Sequence, residues 1–246
     1  MLTALFADVH SNLAALQACL HHAQQRGAER LVFLGDLVGY GPDPAETVDL
    51  IHSLGGAVVI KGNHDEAIEV EPKLRDLNDA AYAVIVWTRE ALSANQRRFL
   101  ARLPLIVEEQ DRCFVHASAS RPEKWQYVLD GAAALRSMQA AGVPYVFSGH
   151  VHHQVLYFET PAGKTASFRP LPGSLTPVPR RRGWLAIVGS VGQPRDGNPA
   201  AAYALFDDLA ESITFFRVPY DHRATASRIR AARLPELFAE RLERGQ

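Results

Sequence analysis

The sequence predicts an α/β fold in which buried strands alternate with helices. Short apolar runs recur along the first 152 residues, and each one ends in a turn containing Gly, Asp, Asn or His. Stretches with apolar residues at three- and four-residue spacing lie between these runs. Continuous apolar runs bounded by glycine are typical of strands buried on both faces. Their alternation with helices predicts a layered sheet.

Five apolar runs are the predicted strands of this first part: 2–7, 31–34, 58–60, 113–115 and 145–147. Predicted helices lie between them at 13–23, 44–52, 78–101 (two helices) and 131–141. Leu13, Leu16 and Leu20 form the apolar stripe of the first helix. Ser11 or Asn12 can begin that helix, and Gly27 can end it.

The alternation of predicted strands and helices ends after His152. Five strand-like runs follow at 155–158, 165–168, 184–188, 203–206 and 213–218, and they predict added antiparallel strands or a second sheet. Residues 170–182, rich in proline and arginine, are expected to form a surface loop. A helical tail is expected over about 221–246, broken at Pro235. Without a linker or an internal repeat, we expect one domain over residues 1–246.

Composition excludes several classes of protein. The 246 residues are 47% hydrophobic and 22% charged, with a formal net charge of −1 from 26 basic and 27 acidic residues. These values exclude a mainly disordered chain, and they argue against a nucleic-acid partner because such a partner needs a basic excess. Two cysteines cannot build a disulfide framework or a Cys-rich zinc site. No run approaches the roughly 20 apolar residues of a membrane span, and no signal peptide is evident. We therefore expect a cytoplasmic protein without membrane contact.

Metal-binding side chains follow each of the first five predicted strands. Because ligands of open α/β sheets lie beyond the carboxyl ends of strands, we expect these side chains to meet at one edge. Carboxylate, imidazole and amide oxygen suit a divalent metal, and no thiolate is present. The residues are Asp8, His10, Asp36, Asn63, His64, His116, His150 and His152.

Two carboxylates and several imidazoles suit a pair of metals better than a single ion. Asp36 is the candidate bridge, with one oxygen facing each cation. A water between two cations would become a hydroxide nucleophile at neutral pH, and the cations would bind phosphate oxygens. His64, free of metal, could protonate the leaving oxygen or bind the phosphate, and Asp65 could orient its ring and keep it protonated.

The order of these motifs resembles the calcineurin-like metallophosphoesterases. The matching blocks are Asp8-Val9-His10, Gly35-Asp36, Gly62-Asn63-His64-Asp65, His116 and Gly149-His150-Val151-His152. The resemblance implies a four-layer αββα sandwich with two mixed sheets between helices. It also implies one metal on Asp8, His10, Asp36 and His152, a second on Asp36, Asn63, His116 and His150, and a catalytic His64 outside both sets.

A further stretch is similar to the small bacterial phosphodiesterase-like members of that family. Residues 189–199 read Gly-Ser-Val-Gly-Gln-Pro-Arg-Asp-Gly-Asn-Pro, and an Ala-Tyr-Ala strand follows at 202–204. The chain departs from the subgroup at Ile187-Val188, where Asn-Pro is usual. The resemblance favours a phosphodiester, with a phosphomonoester or nucleotide pyrophosphate left open. The two divalent ions are expected to be Mn, Fe, Zn, Co or Ni, with Mn favoured.

Several alternatives stay open. The same fold could serve as a catalytically silent metal-binding scaffold for protein interaction, although such a scaffold tends to lose ligands. A single-metal nucleic-acid hydrolase is weakened by the near-neutral charge. Apolar residues in 78–101 could serve a homo-oligomer or only the core. Arg195 could pair with Asp196 or, if its loop faces the metals, bind a phosphate.

Overall fold

Two six-stranded β-sheets with helices on both outer surfaces form the computed structural model of the chain, which describes residues 1–69 and 79–246. The strands are β1 Leu2–Phe6, β2 Arg30–Phe33, β3 Val58–Val59, β4 Ile106–Glu109, β5 Arg112–Val115, β6 Tyr145–Ser148, β7 Gln154–Glu159, β8 Thr165–Phe168, β9 Leu175–Pro177, β10 Trp184–Val188, β11 Ala201–Asp207 and β12 Ser212–Val218. The helices are α1 Leu13–Gln25, α2 Pro44–Ser53, α3 Asn63–Ala67, α4 Asp79–Ala91, α5 Ala94–Ala101, α6 Gly131–Ala141, α7 His222–Ala231 and α8 Glu236–Arg244. The predicted α/β class with two mixed sheets is confirmed.

Both sheets mix parallel and antiparallel pairs. The first has the order β3-β2-β1-β11-β12-β9, in which β1, β2 and β3 are parallel. The second has the order β4-β5-β6-β10-β7-β8, in which β5, β6 and β10 are parallel. The strand-rich second half of the chain therefore supplies strands to both sheets, and all of them pair antiparallel except β10 with β6.

Three apolar layers hold the sandwich together. Between the sheets, Phe147 and Phe206 pack with ring centroids 5.0 Å apart. On the outer face of the first sheet, Leu16 of α1 packs into a cluster with Phe6 and Tyr203. On the outer face of the second sheet, α6 buries Met138. Burial of these faces stabilises the layers by about 25 cal/mol per Å² of apolar surface removed from water.

Asn12 fixes the start of α1 and ties it to two distant loops. Its side-chain oxygen accepts the Ala15 N–H, as a helix N-cap does. Its amide nitrogen donates to the Gly192 carbonyl and to the Tyr220 hydroxyl, each at 2.9 Å. The turn after β1 is thereby held against the segments that follow β10 and β12.

The C-terminal tail forms α7 and α8, with Pro235 immediately before α8 as predicted. Phe238 is buried and packs on the Tyr40 ring at 4.8 Å. Arg228 forms an ion pair with the buried Asp43, the residue that precedes α2. These contacts place the tail beside the turn that follows β2.

Three short elements are not predicted by the sequence pattern. β4 pairs with β5 through a tight turn at Gln110, whose φ is 39°. β9 lies inside the expected surface loop 170–182, where it pairs with the edge of β12. α3 has only five residues. The edge strands β4 and β9 depend on pairing with a neighbouring strand rather than on their own sequence pattern. Residue 78, the expected start of a helix, lies outside the described residues.

Among residues 1–69 and 79–246, no helix is long and apolar enough to cross a membrane.

Candidate metal centre

The predicted ligands meet where parallel strands of both sheets end. In the first sheet, β1 leads to Asp8 and His10, β2 leads to Asp36, and β3 is followed by Asn63 and His64. In the second sheet, β5 leads to His116, and β6 leads to His150 and His152. Because each set of strands is parallel, its carboxyl ends share one edge. The two edges face each other, so residues distant in sequence become neighbours.

Asp8, His10 and His152 form the first group of ligand atoms. His10 Nε2 lies 3.3 Å from His152 Nε2, and His152 Nε2 lies 3.5 Å from Asp8 Oδ1. Nitrogens bound about 2.1 Å from one tetrahedral ion lie about 3.4 Å apart. The spacing of the two imidazoles therefore suits a shared cation.

Asp36, His116 and His150 form the second group. His116 Nε2 lies 3.2 Å from Asp36 Oδ2. The His116 and His150 rings are 4.9 Å apart between centroids. In each of these two groups the potential ligand atoms lie within 4.8 Å of one another, and the same holds for a third group, His10, Asp36 and His64.

Asp36 links the two groups through one oxygen. Its Oδ2 faces His116 of the second group and also lies 3.7 Å from His10 Nε2 of the first. Its Oδ1 accepts a hydrogen bond from the His64 backbone N–H at 2.8 Å. The sequence predicts one Asp36 oxygen for each cation; in the structure Oδ2 faces histidines of both groups, while Oδ1 bonds the His64 N–H and keeps a second lone pair.

Backbone carbonyls orient three of the histidine rings. The Nδ1 atoms of His10, His116 and His152 lie 3.1, 2.7 and 2.6 Å from the carbonyl oxygens of Val38, Leu34 and Gln193, respectively. In the neutral tautomer each Nδ1–H donates to its carbonyl, so each Nε2 presents a lone pair to the centre.

Several buried polar atoms at the centre have no hydrogen-bond partner among the described residues. They are Asn63 Oδ1, His64 Nδ1 and His150 Nε2. A buried polar atom without a partner costs about 1–3 kcal/mol. A bound cation would satisfy the two that belong to predicted ligands, Asn63 Oδ1 and His150 Nε2, so the donor set fits divalent metals.

The backbone at the predicted ligands adopts a left-handed conformation that residues other than glycine rarely take. Positive φ angles between 48° and 68° occur at Asp8, His10, Asp36, His150 and His152. Such conformations cost about 1–3 kcal/mol each and cluster at functional sites. Backbone contacts hold them: Asp8 N–H donates to the Gly35 carbonyl, and both Asp8 carboxylate oxygens accept the His150 N–H.

Burial and mutual charge shift the pKa values of these groups. Burial raises the pKa of Asp8 to about 7 and lowers the pKa of His150 to about 3. Burial would also lower the pKa of His116, but the adjacent Asp36 carboxylate outweighs it and raises that pKa to about 9. Without a metal, Asp36 and His116 therefore form an ion pair. A cation would take the place of that proton.

His64 stands beside the two groups, and Asp65 has a different role from the expected one. The His64 ring packs edge-on against His10 at 4.9 Å and against Tyr40 at 4.5 Å. The Asp65 carboxylate accepts backbone N–H groups of Gly62, Leu37 and Val38 at 2.9, 2.9 and 3.3 Å. Those bonds hold the two turns together, and burial lowers the pKa of His64 rather than keeping it protonated.

The positions of Tyr40, Tyr127 and Arg195 around the centre could not be predicted from the sequence. Tyr127 stacks on His150 at 3.9 Å and is 51% exposed, so it forms part of the rim. Asp196 pairs with Arg217 at 2.9 Å, and not with Arg195, which was one of the two alternatives. Arg195 turns instead to Tyr40, with its guanidinium carbon 5.6 Å from the ring centroid. Local sequence carried no signal for these partners.

Comparisons with known proteins find relatives that match most or all of the chain. A model of the calcineurin-like phosphoesterase superfamily domain matches residues 1–209. An uncharacterized protein of Methanocaldococcus jannaschii is 34% identical, with 99% of this chain and 98% of that protein covered. The crystal structure of a metallophosphoesterase from Sphaerobacter thermophilus has a TM-score of 0.90 at 35% identity and covers 100% of this chain and 99% of its own. A symmetrical bis(5'-nucleosyl)-tetraphosphatase of Methylococcus capsulatus is 31% identical over 46% of this chain, and the match spans only 41% of that protein.

Proposed function

Because the chain belongs to the calcineurin-like phosphoesterase superfamily, we propose that it hydrolyses a small phosphorylated substrate with the help of two divalent cations. The observation that carries this proposal is the pair of His/Asp groups that share Asp36 Oδ2. The buried Nε2 atom of His150 supports it, since this atom has no hydrogen-bond partner among the described residues and lies close to the ligand atoms of Asp36 and His116.

We assign the two cations as follows. One would be held by Asp8, His10, Asp36 and His152, and the other by Asp36, Asn63, His116 and His150. When bound, the cations would supply Lewis acidity toward phosphate oxygens and acidify a water, whose pKa falls from about 15.7 to about 7 at catalytic zinc sites.

The chain's own residues would orient the reaction. His64 carries a buried ring beside the Asp36 carboxylate, and we assign it a hydrogen bond to the phosphate and proton donation to the leaving oxygen. Asp65 would act as a positioning residue, since its carboxylate fixes the turn that bears Asn63 and His64.

The substrate we favour has a phosphorus atom with two organic or phosphate substituents, as in a phosphodiester or a dinucleoside oligophosphate. The likeness of residues 189–199 to phosphodiesterase-like members supports the diester. The partial match to symmetrical tetraphosphatases supports the oligophosphate. The scaffold alternative is not favoured, because all seven candidate ligands and His64 are present.

Three substrates test the proposal on purified protein loaded with Mn²⁺: bis(p-nitrophenyl) phosphate, p-nitrophenyl phosphate and diadenosine tetraphosphate. We expect turnover of the diester or the tetraphosphate above that of the monoester, and loss of turnover with a chelator. Asp36→Asn should abolish activity, whereas the matched control Asp49→Asn, on the α2 surface, should not. Metal-loaded protein that turns over none of the three would contradict the proposal.

A further inference from the structure

The segment 190–195 after β10 is hydrogen-bonded to two candidate metal ligands, Asp8 after β1 and His152 after β6. Ser190 Oγ and Gly192 N–H each donate to the Asp8 carbonyl at 2.9 Å. His152 Nδ1 lies 2.6 Å from the Gln193 carbonyl, and Arg195 N–H donates to the His152 carbonyl at 3.3 Å. The position of Arg195 is therefore set by the same backbone that sets Asp8 and His152.

The Arg195 side chain is held in one orientation. Its Nε and Nη2 donate to Gln193 Oε1 at 3.2 and 2.8 Å, and its guanidinium lies over the Tyr40 ring. That ring is in turn 4.4 Å from the His10 ring and 4.5 Å from the His64 ring. Two of the five guanidinium N–H groups bond Gln193, so three are left for Tyr40 and an incoming group.

The charge of Arg195 has no anionic partner within the part of the chain that the structure describes. Its hydrogen-bond acceptor is a neutral amide oxygen, and Asp196 is occupied by Arg217. The guanidinium lies over the Tyr40 ring, which contacts the His10 and His64 rings, so the charge stands at the edge of the centre. An arginine beside a cation-binding centre is unfavourable unless an anion lies between them.

We propose that Arg195 binds a phosphate oxygen of the substrate at the edge of the metal centre, an assignment that rests on the proposed function. Two divalent cations would bring more positive charge than Asp8 and Asp36 neutralise, so the arginine and the cations together require an anionic group. The planar guanidinium suits phosphate because it can form parallel N–H···O bonds. The segment 190–195 thus contributes the substrate's phosphate contact, while the strand ends contribute the metal ligands.

Inorganic phosphate is the probe for this inference, used with the full chain loaded with Mn²⁺. Isothermal titration calorimetry should show weaker phosphate binding for Arg195→Gln, by about 10- to 100-fold, since charge-assisted bonds are lost. Arg195→Lys keeps the positive charge but loses the planar, forked set of N–H donors. Its affinity for phosphate should therefore lie between that of the wild type and that of Arg195→Gln. Arg223→Gln, which removes an exposed arginine of α7, should bind phosphate as the wild type does.

Metal content by elemental analysis separates ligand binding from a structural role. We expect Arg195→Gln to retain metal as well as the wild type or better, because a positive charge beside the cations has been removed. Unchanged phosphate affinity in Arg195→Gln would overturn the inference, as would weaker phosphate binding that accompanies loss of metal. The readout is independent of turnover: inactive protein whose phosphate binding still depends on Arg195 contradicts only the proposed function.

Discussion

Replacing Gly62 by Ala tests whether the position of Asp36 governs the centre. The Gly62 backbone is extended, with φ −104° and ψ 174°, so an alanine causes no backbone strain there. Its Cβ, however, would lie 2.1 Å from Asp36 Oδ1 and 2.3 Å from Asp36 N. Non-bonded heavy atoms prefer separations of about 3.5–4.0 Å, so the turn and the carboxylate must separate by roughly 1 Å or more.

The expected consequence follows from that displacement. Asp36 Oδ2 lies 3.2 Å from His116 Nε2 and 3.7 Å from His10 Nε2, so a shift of this size would alter its position in both groups. A misplacement of 1 Å in an active site can cost about 100-fold in rate. We therefore expect Gly62→Ala to lose at least one metal per chain and about 100-fold or more in kcat/KM.

The assay combines elemental analysis, steady-state kinetics and thermal unfolding. Gly55→Ala is the matched control, because Gly55 has no heavy atom within 4 Å of an added Cβ and no left-handed φ. The control should keep the metal content and activity of the wild type. The reasoning is refuted if Gly62→Ala folds, binds as much metal as the wild type and is equally active.

Three further predictions concern catalysis, metal-linked stability and packing. His64→Asn should retain metal but lower kcat by about 10²- to 10⁴-fold, as loss of general acid catalysis does. Loss of metal in this variant would contradict the assignment of His64 outside both ligand sets. Chelation should lower the Tm measured by scanning fluorimetry, because a ligand that binds the native state at 100 times its Kd stabilises the protein by about 2.7 kcal/mol. Recovery of the Tm on adding Mn²⁺ is the control. An unchanged Tm would argue against metal binding at the buried groups. Phe206→Ala should reduce the free energy of unfolding in urea by about 3–5 kcal/mol because the ring is buried between the sheets, whereas Leu209→Ala, at a side chain 87% exposed, should change it little.

Local sequence patterns are enough to predict which residue types surround the centre and which elements bear them. Buried strands need continuous apolar runs, and β1, β5 and β6 are recognisable for that reason. Helix starts and stops are local as well, so α1, with Asn12 at its start and Gly27 just beyond its end, is predictable. The polar residues that follow such strands identify the candidate ligands from the chain alone.

How those ligands face one another depends on the folded arrangement of distant segments. The left-handed backbone at Asp8 and His10, the carbonyl that orients each histidine ring, and the single Asp36 oxygen between the groups all rest on contacts between such segments. The same holds for Arg195, whose partner could not be chosen by sequence proximity: the adjacent Asp196 pairs elsewhere, because β12 carries Arg217 to it. Local patterns record the period and the ends of an element, whereas hydrogen bonds and charges select partners across the fold, where sequence distance has no bearing.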